Sequence, residues 1–232
     1  MTNQFANLSA AAKWRLMVEG AKLGAASQGY TLKRVPGRGL SNIWTMSKDG
    51  KTLRASIRTT RDRWFAFPPL AKGKKWKTLD EVDTVIVASV DSRDEPENVE
   101  VFIFPADEVR ARFNAARTAR VNAGQAVQDN FGMWVRLDYD NRKVPAAVGS
   151  GIIDKYKFIA TYSLEELIAG NAEQLSVADD KELSTSDLTH EESSEQRRES
   201  AVPLRLTIPE AKAALAATLG VSPGIIKITI EG

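Results

Sequence analysis

The sequence predicts an α/β or α+β fold in which a mixed central sheet is flanked by helices. Three observations predict this fold: a helix followed by a strand and a hairpin, two strongly apolar strands after the hairpin, and a second helix after those strands. Helices that alternate with strands in this way cover the faces of a sheet. The 232 residues, 43% of them apolar, are enough for one hydrophobic core of ordinary size.

The first third of the chain is predicted to form a helix and three strands. Residues 8–28 place apolar side chains at helical spacing behind Ser9, which can cap the helix, and Gly29 ends it. The pair Asp49-Gly50 is a strong signal for a hairpin turn between two strands. The three strands are expected at residues 30–35, 43–46 and 52–60.

The middle of the chain is predicted to supply buried strands and a second helix. Residues 82–90 and 99–104 are nearly continuous apolar runs, which is typical of strands covered on both faces. A helix is expected over residues 106–122, with acidic residues in its first turn and arginines further on, as suits the helix dipole. The remaining expectations are an extended segment at 63–70, a basic loop at 71–77, a strand within 132–139 and a short helix from Ser163.

Composition divides the chain into three parts. Residues 1–170 are predicted to form the α/β domain. Residues 171–203 are acidic and rich in Ser and Glu, and we expect a disordered linker because they cannot bury enough apolar surface to fold. Residues 204–232 are predicted to form a small strand-helix-strand module. About 30 residues rarely make an independent core, so the module is expected to contact the main domain, a second copy of the chain or a protein partner.

Several classes of protein are disfavoured by composition. The absence of cysteine removes disulfides, thiolate metal sites and cysteine nucleophiles, and a single histidine disfavours a zinc site. The N-terminus shows no signal pattern, and no apolar run approaches the length of a membrane span. We therefore expect a soluble cytoplasmic protein that needs no cofactor and contacts no membrane.

The charge of the chain is segregated along its length. Residues 1–77 carry 16 Lys and Arg against 3 Asp and Glu, although the whole chain has a net charge of only +2. Such asymmetry is typical of a surface that binds a polyanion, and it favours nucleic acid as the partner. Trp76 stands among lysines and is the candidate for stacking on a base. The predicted nucleic-acid contacts are Arg34, Arg38, Arg54, Arg58, Arg61, Arg63, Lys72, Lys74, Lys75 and Trp76.

The order of the elements over residues 12–122, with the stretch "IRTT" followed by an aromatic strand, resembles the core of the PD-(D/E)XK nuclease-like superfamily. The resemblance implies a restriction-endonuclease-like fold and a site whose carboxylates hold divalent cations for phosphodiester hydrolysis. Carried over to this chain, the acidic position of that site falls near Asn42, the Glu/Gln position on Ser56 and the lysine position on Arg58. The chain departs from the family pattern at all three.

These departures change the chemistry that the resemblance implies. An amide, a hydroxyl and a permanent cation are poor substitutes for two metal-binding carboxylates and a lysine. Arg54 and Arg58 share one face of a strand, so the site would attract a phosphate rather than a metal ion. We therefore expect a catalytically degenerate nuclease-like domain that binds nucleic acid, with DNA as the expected ligand. A prokaryotic defence or mobile-element setting is what the resemblance implies.

Two alternatives stay open. The chain could be a divergent Mg²⁺-dependent endonuclease whose carboxylates are Glu19, Asp49 and Asp62. It could also be a scaffold or regulatory subunit whose basic surface binds an acidic protein, with the segment 204–232 setting the stoichiometry. Metal-dependent cleavage would identify the first alternative, and a bound protein without nucleic-acid affinity would identify the second.

Overall fold

The computed structural model describes residues 4–35 and 43–171, together with the single residues 212 and 222. Contacts divide the chain into two units, Met1–Glu191 and Glu192–Gly232, and the fold described below belongs to the first. The predicted linker, apart from residue 171, and the predicted C-terminal module, apart from residues 212 and 222, lie outside the described residues. Within the described ranges, no helix combines the length and the apolar character that crossing a bilayer requires.

A six-stranded mixed sheet forms the centre of the molecule. Its strands have the order β1-β2-β3-β7-β8-β10. β3 and β7 run parallel to each other, and every other pair of neighbouring strands in this sheet is antiparallel. Two short ladders, β4-β9 and β5-β6, lie outside this sheet. In chain order the strands are β1 (Thr31–Arg34), β2 (Ile43–Lys48), β3 (Lys51–Thr60), β4 (Trp64–Phe67), β5 (Pro69–Leu70), β6 (Lys75–Trp76), β7 (Thr84–Val90), β8 (Asn98–Pro105), β9 (Met133–Arg136) and β10 (Ala160–Ser163).

Local sequence signals explain the first helix and the hairpin. The first helix begins after Ser9, whose hydroxyl accepts a hydrogen bond from the backbone N–H of Ala12. The β2-β3 hairpin turns at Asp49 and Gly50, whose φ angles of 49° and 74° are those of a type I′ turn. Both predictions are confirmed. The helices are α1 (Ala10–Ser27), α2 (Ala106–Asn122), α3 (Ile152–Lys155) and α4 (Leu164–Gly170).

Each face of the sheet is covered by its own apolar layer. On the first face, called here the α1 face, α1 and α4 pack on side chains such as Ala55, Ile57 and Ile86. On the opposite face, the α2 face, α2 and the β4-β9 ribbon pack on Val85 and Val87. Aromatic rings fill this second layer: Phe65, Phe67, Phe102, Phe104 and Phe113.

The structure confirms the mixed sheet with flanking helices and corrects some details. The segment 71–77, predicted to be a loop, contributes β6 to a two-stranded ladder. β10 and α3 were not predicted, because four residues give little local signal. The apolar spacing of the first helix does not bury every apolar residue: α1 packs on the sheet through Leu16, Met17 and Ala21, while Leu23 is 39% exposed.

Candidate nucleic-acid interface

The central strand β3 presents Arg54, Ser56 and Arg58 to the α2 face of the sheet. Ser56 is fully buried opposite Val85, and its hydroxyl has no hydrogen-bond partner among the described residues. The guanidinium of Arg58 lies over the ring of Phe67, 4.4 Å from its centroid. The positions expected to form a degenerate nuclease site are therefore packed into the layer between the sheet and the β4-β9 ribbon. Asn42, the third of these positions, lies outside the described residues.

The arginines predicted to bind phosphate have protein contacts of their own. Arg54 is 43% exposed, and its guanidinium lies 3.8 Å from the carboxylate of Glu81. Arg34 is half-buried on β1 opposite Trp44, so it lies on the α1 face, away from Arg54. Arg61 is also half-buried, and Arg38 lies outside the described residues. These predicted contacts do not share one face of the sheet.

Arg63, another predicted phosphate ligand, is the most strongly ion-paired of these arginines. Its side chain is 17% exposed and forms ion pairs with Glu100 and with Asp138, the latter at 3.0 Å. Burial alone would lower the pKa of the guanidinium, but the hydrogen bonds to Asp138 and Glu100 outweigh it and raise that pKa. Its donors are engaged by two carboxylates, so Arg63 links segments of the fold in this structure.

The structure also separates the carboxylates of the nuclease alternative. Asp49 and Asp62 lie beyond opposite ends of the ten-residue strand β3, which is itself about 30 Å long. Asp62 accepts hydrogen bonds from the hydroxyl of Thr60 and the backbone N–H of Trp64. Glu19 lies on α1, across the sheet from Ser56, and pairs with Lys22. These residues do not fit a shared Mg²⁺ ion, and the described residues contain no cluster of three metal-binding side chains.

Trp76 is a core residue and not a stacking surface. Its side chain is 3% exposed, and its ring packs edge-on against Phe113 with centroids 5.3 Å apart. Its indole N–H donates a hydrogen bond of 2.8 Å to the side-chain oxygen of Asn114. The ring is therefore closed to a nucleic-acid base, although lysines surround it in the sequence.

The exposed positive charge is concentrated on what we call the lysine loop: Lys72, Lys74, Lys75 and Lys77, around the β5-β6 ladder. All four are exposed. Among the described residues their ammonium groups form no ion pair, while the carboxylates of Asp129 and Asp80 accept hydrogen bonds from the backbone N–H groups of Lys72 and Trp76. Lys72, Lys74 and Lys75 were predicted contacts. Lys77 belongs to the same run of lysines and could have been included on that signal.

Arg117 extends the lysine loop from α2. Its guanidinium donates a hydrogen bond of 2.7 Å to the backbone carbonyl of Lys72. The guanidinium also packs directly against Gly73, where an added Cβ would lie 1.8 Å from the Arg117 Nε. Gly73 has a φ of +78°, which also favours glycine. No local sequence signal connects Arg117 with the loop, because the two segments are far apart in the chain.

Comparison of the chain with family models, with curated proteins and with solved structures finds no match.

Proposed function

We propose that the protein binds nucleic acid and that the lysine loop is the centre of the binding surface. One observation carries the proposal: four exposed ammonium groups lie within residues 72–77, and none of them forms an ion pair among the described residues. Each cation that meets a phosphate releases condensed counterions, so a cluster of unneutralised lysines favours a polyphosphate backbone. Arg117 adds a guanidinium beside the same loop.

Charge reversal in the lysine loop tests this function. We expect Lys74→Glu/Lys75→Glu to weaken binding to labelled DNA or RNA by about tenfold or more at low salt, because two phosphate contacts become repulsive. Fluorescence anisotropy titration measures the change.

The matched control for this test is Lys143→Glu/Lys157→Glu, which makes the same change of charge at two exposed lysines outside the loop. Equal losses in the two double variants would mean that net charge alone governs binding. No binding of the wild-type protein to either nucleic acid at low salt would disprove the function. Co-purification of an acidic protein in that case would favour the scaffold alternative.

The degenerate nuclease-like fold is the second part of the proposal. It is supported by the order of α1, β1, the β2-β3 hairpin, β7, β8 and α2, which agrees with the order of elements in that superfamily. The Mg²⁺-dependent alternative lacks comparable support, because Glu19, Asp49 and Asp62 lie apart. Binding without cleavage in the presence of Mg²⁺ is the expected result.

A further inference from the structure

The outer side of the β4-β9 ribbon carries three aromatic side chains that belong to neither apolar layer of the core. Met133 and Val135 point into the apolar layer, so Trp134 points outward between them. Trp64 lies on the other strand of the ribbon, opposite Arg136, and is also half-buried. Phe131 is 39% exposed and packs edge-on against Trp134, with centroids 5.9 Å apart. Trp64, Phe131 and Trp134 are called here the aromatic face.

Backbone hydrogen bonds join this aromatic face to the lysine loop. The N–H of Lys72 donates to the carboxylate of Asp129 at 2.7 Å. The N–H of Asn130 donates to the carbonyl of Pro69 at 2.8 Å. The segment that leads into Phe131 is therefore held directly against the loop.

Two arginines of α2 also contact the backbone of the lysine loop and of the strand that carries Trp134. Arg117 donates to the carbonyl of Lys72 in the loop, and Arg120 donates to the carbonyl of Trp134 at 2.9 Å. Residues three apart are neighbours on a helix surface. One stretch of α2 thus contacts the backbone of the lysine loop and the backbone of the strand that carries Trp134, so the loop and the aromatic face are neighbours.

We propose that this surface binds single-stranded nucleic acid, with unpaired bases stacking on the aromatic face while the backbone phosphates lie along the lysine loop. This inference rests on the proposed function and adds the class of ligand. Aromatic rings beside cations suit a single strand, because a single strand can turn its bases toward a protein surface. In a duplex the flat faces of the bases are covered by their stacked neighbours, so the rings would contribute little.

The exposed phenylalanine allows a direct test with a matched control. Phe131→Leu keeps an apolar side chain but removes the ring. Phe158→Leu makes the same change at a phenylalanine that is 52% exposed and packs on Phe102 instead. The probes are single-stranded DNA, single-stranded RNA and a DNA duplex of one sequence and length, and the measurement is anisotropy titration.

We expect the wild-type protein to bind at least one of the single strands more tightly than the duplex. Phe131→Leu should weaken single-strand binding by about fivefold or more, the lower end of what stacking one base contributes, and leave duplex binding unchanged. Phe158→Leu should change neither. A single strand carrying a photoreactive uracil should cross-link to the peptide that contains Phe131 and Trp134.

Each contrary result has a distinct meaning. Equal binding of single strands and duplex, or single-strand binding that Phe131→Leu leaves intact, would overturn the inference. The proposed function would survive that result if Lys74→Glu/Lys75→Glu still weakened binding. An absence of binding to all three probes would overturn both. A cross-link confined to another peptide would also contradict the proposed role of the aromatic face. Thermal melting of Phe131→Leu shows whether this variant is folded.

Discussion

Arg63 joins three segments of the chain through one guanidinium. It follows β3 in a left-handed conformation, with a φ of 67°, and reaches Glu100 on β8 and Asp138 just after β9. The ring of Phe102 lies below it, 5.6 Å from the guanidinium carbon. The ion cluster therefore fastens the β4-β9 ribbon to the central sheet.

Removing one carboxylate of this cluster should destabilise the fold. We expect Asp138→Asn to lower the free energy of unfolding by about 1–3 kcal/mol, because a largely buried guanidinium loses an ionic partner while some solvent still reaches the pair. Urea denaturation measures the loss. Asp94→Asn, an exposed change in the β7-β8 turn, is the control and should have little effect. Equal stability of the two variants would show that the cluster contributes little.

The sequence could not predict how Arg63 and Trp76 are used. The partners of Arg63 lie 37 and 75 positions further along the chain, and no local pattern reports such contacts. Trp76 stands among lysines, but alternate residues of a strand point to opposite sides, so Lys75 faces solvent while Trp76 enters the core. A neighbouring charge in the sequence is therefore a poor guide to exposure in a strand.

At the scale of elements, α1 lies unusually close to the sheet at one glycine. A Cβ added to Gly24 would lie 2.6 Å from a methyl carbon of Val101 on β8 and 2.9 Å from the Val101 Cβ. The contact atoms are short and stiff, so they cannot move aside at low cost. Gly24 thus sets the distance between helix and sheet on the α1 face.

Alanine at this position should destabilise the protein although alanine favours helices. We expect Gly24→Ala to lower the free energy of unfolding by about 1–2 kcal/mol, because overpacking outweighs the gain in helix propensity. Chemical denaturation measures the change. Gly170→Ala, at the end of α4 where nothing lies within 4 Å of an added Cβ, is the matched control and should not destabilise. A stabilised Gly24→Ala would contradict the close packing.

Elements with strong local signals could be predicted from the sequence. The cap at Ser9 and the Asp49-Gly50 turn act over a few residues, and both are found where expected. The two-residue strands β5 and β6 have no such signal, since their pairing depends on how the whole segment packs. The combination of the lysine loop with Arg117 and Phe131 escaped prediction for the same reason. This combination of residues forms only when the folded chain brings α2 and the residues before β9 against the lysine loop.

At the scale of the whole molecule, folding redistributes the charge that the sequence segregates. The first 77 residues are strongly basic, but Glu81, Glu100 and Asp138 from later segments neutralise Arg54 and Arg63. The four ammonium groups of the lysine loop form no ion pair among the described residues, although the carboxylates of Asp129 and Asp80 accept hydrogen bonds from the loop backbone. We therefore place the nucleic acid at these exposed ammonium groups.

The salt dependence of binding tests this central claim most directly. If the four lysines and Arg117 each meet a phosphate, log Kobs for a single strand should fall with log salt concentration with a slope of about −3 to −4. Lys74→Glu/Lys75→Glu should make the slope shallower by at least about 1. Anisotropy titrations across a range of salt concentrations give both values. A slope near zero, or one that the double variant leaves unchanged, would contradict the account.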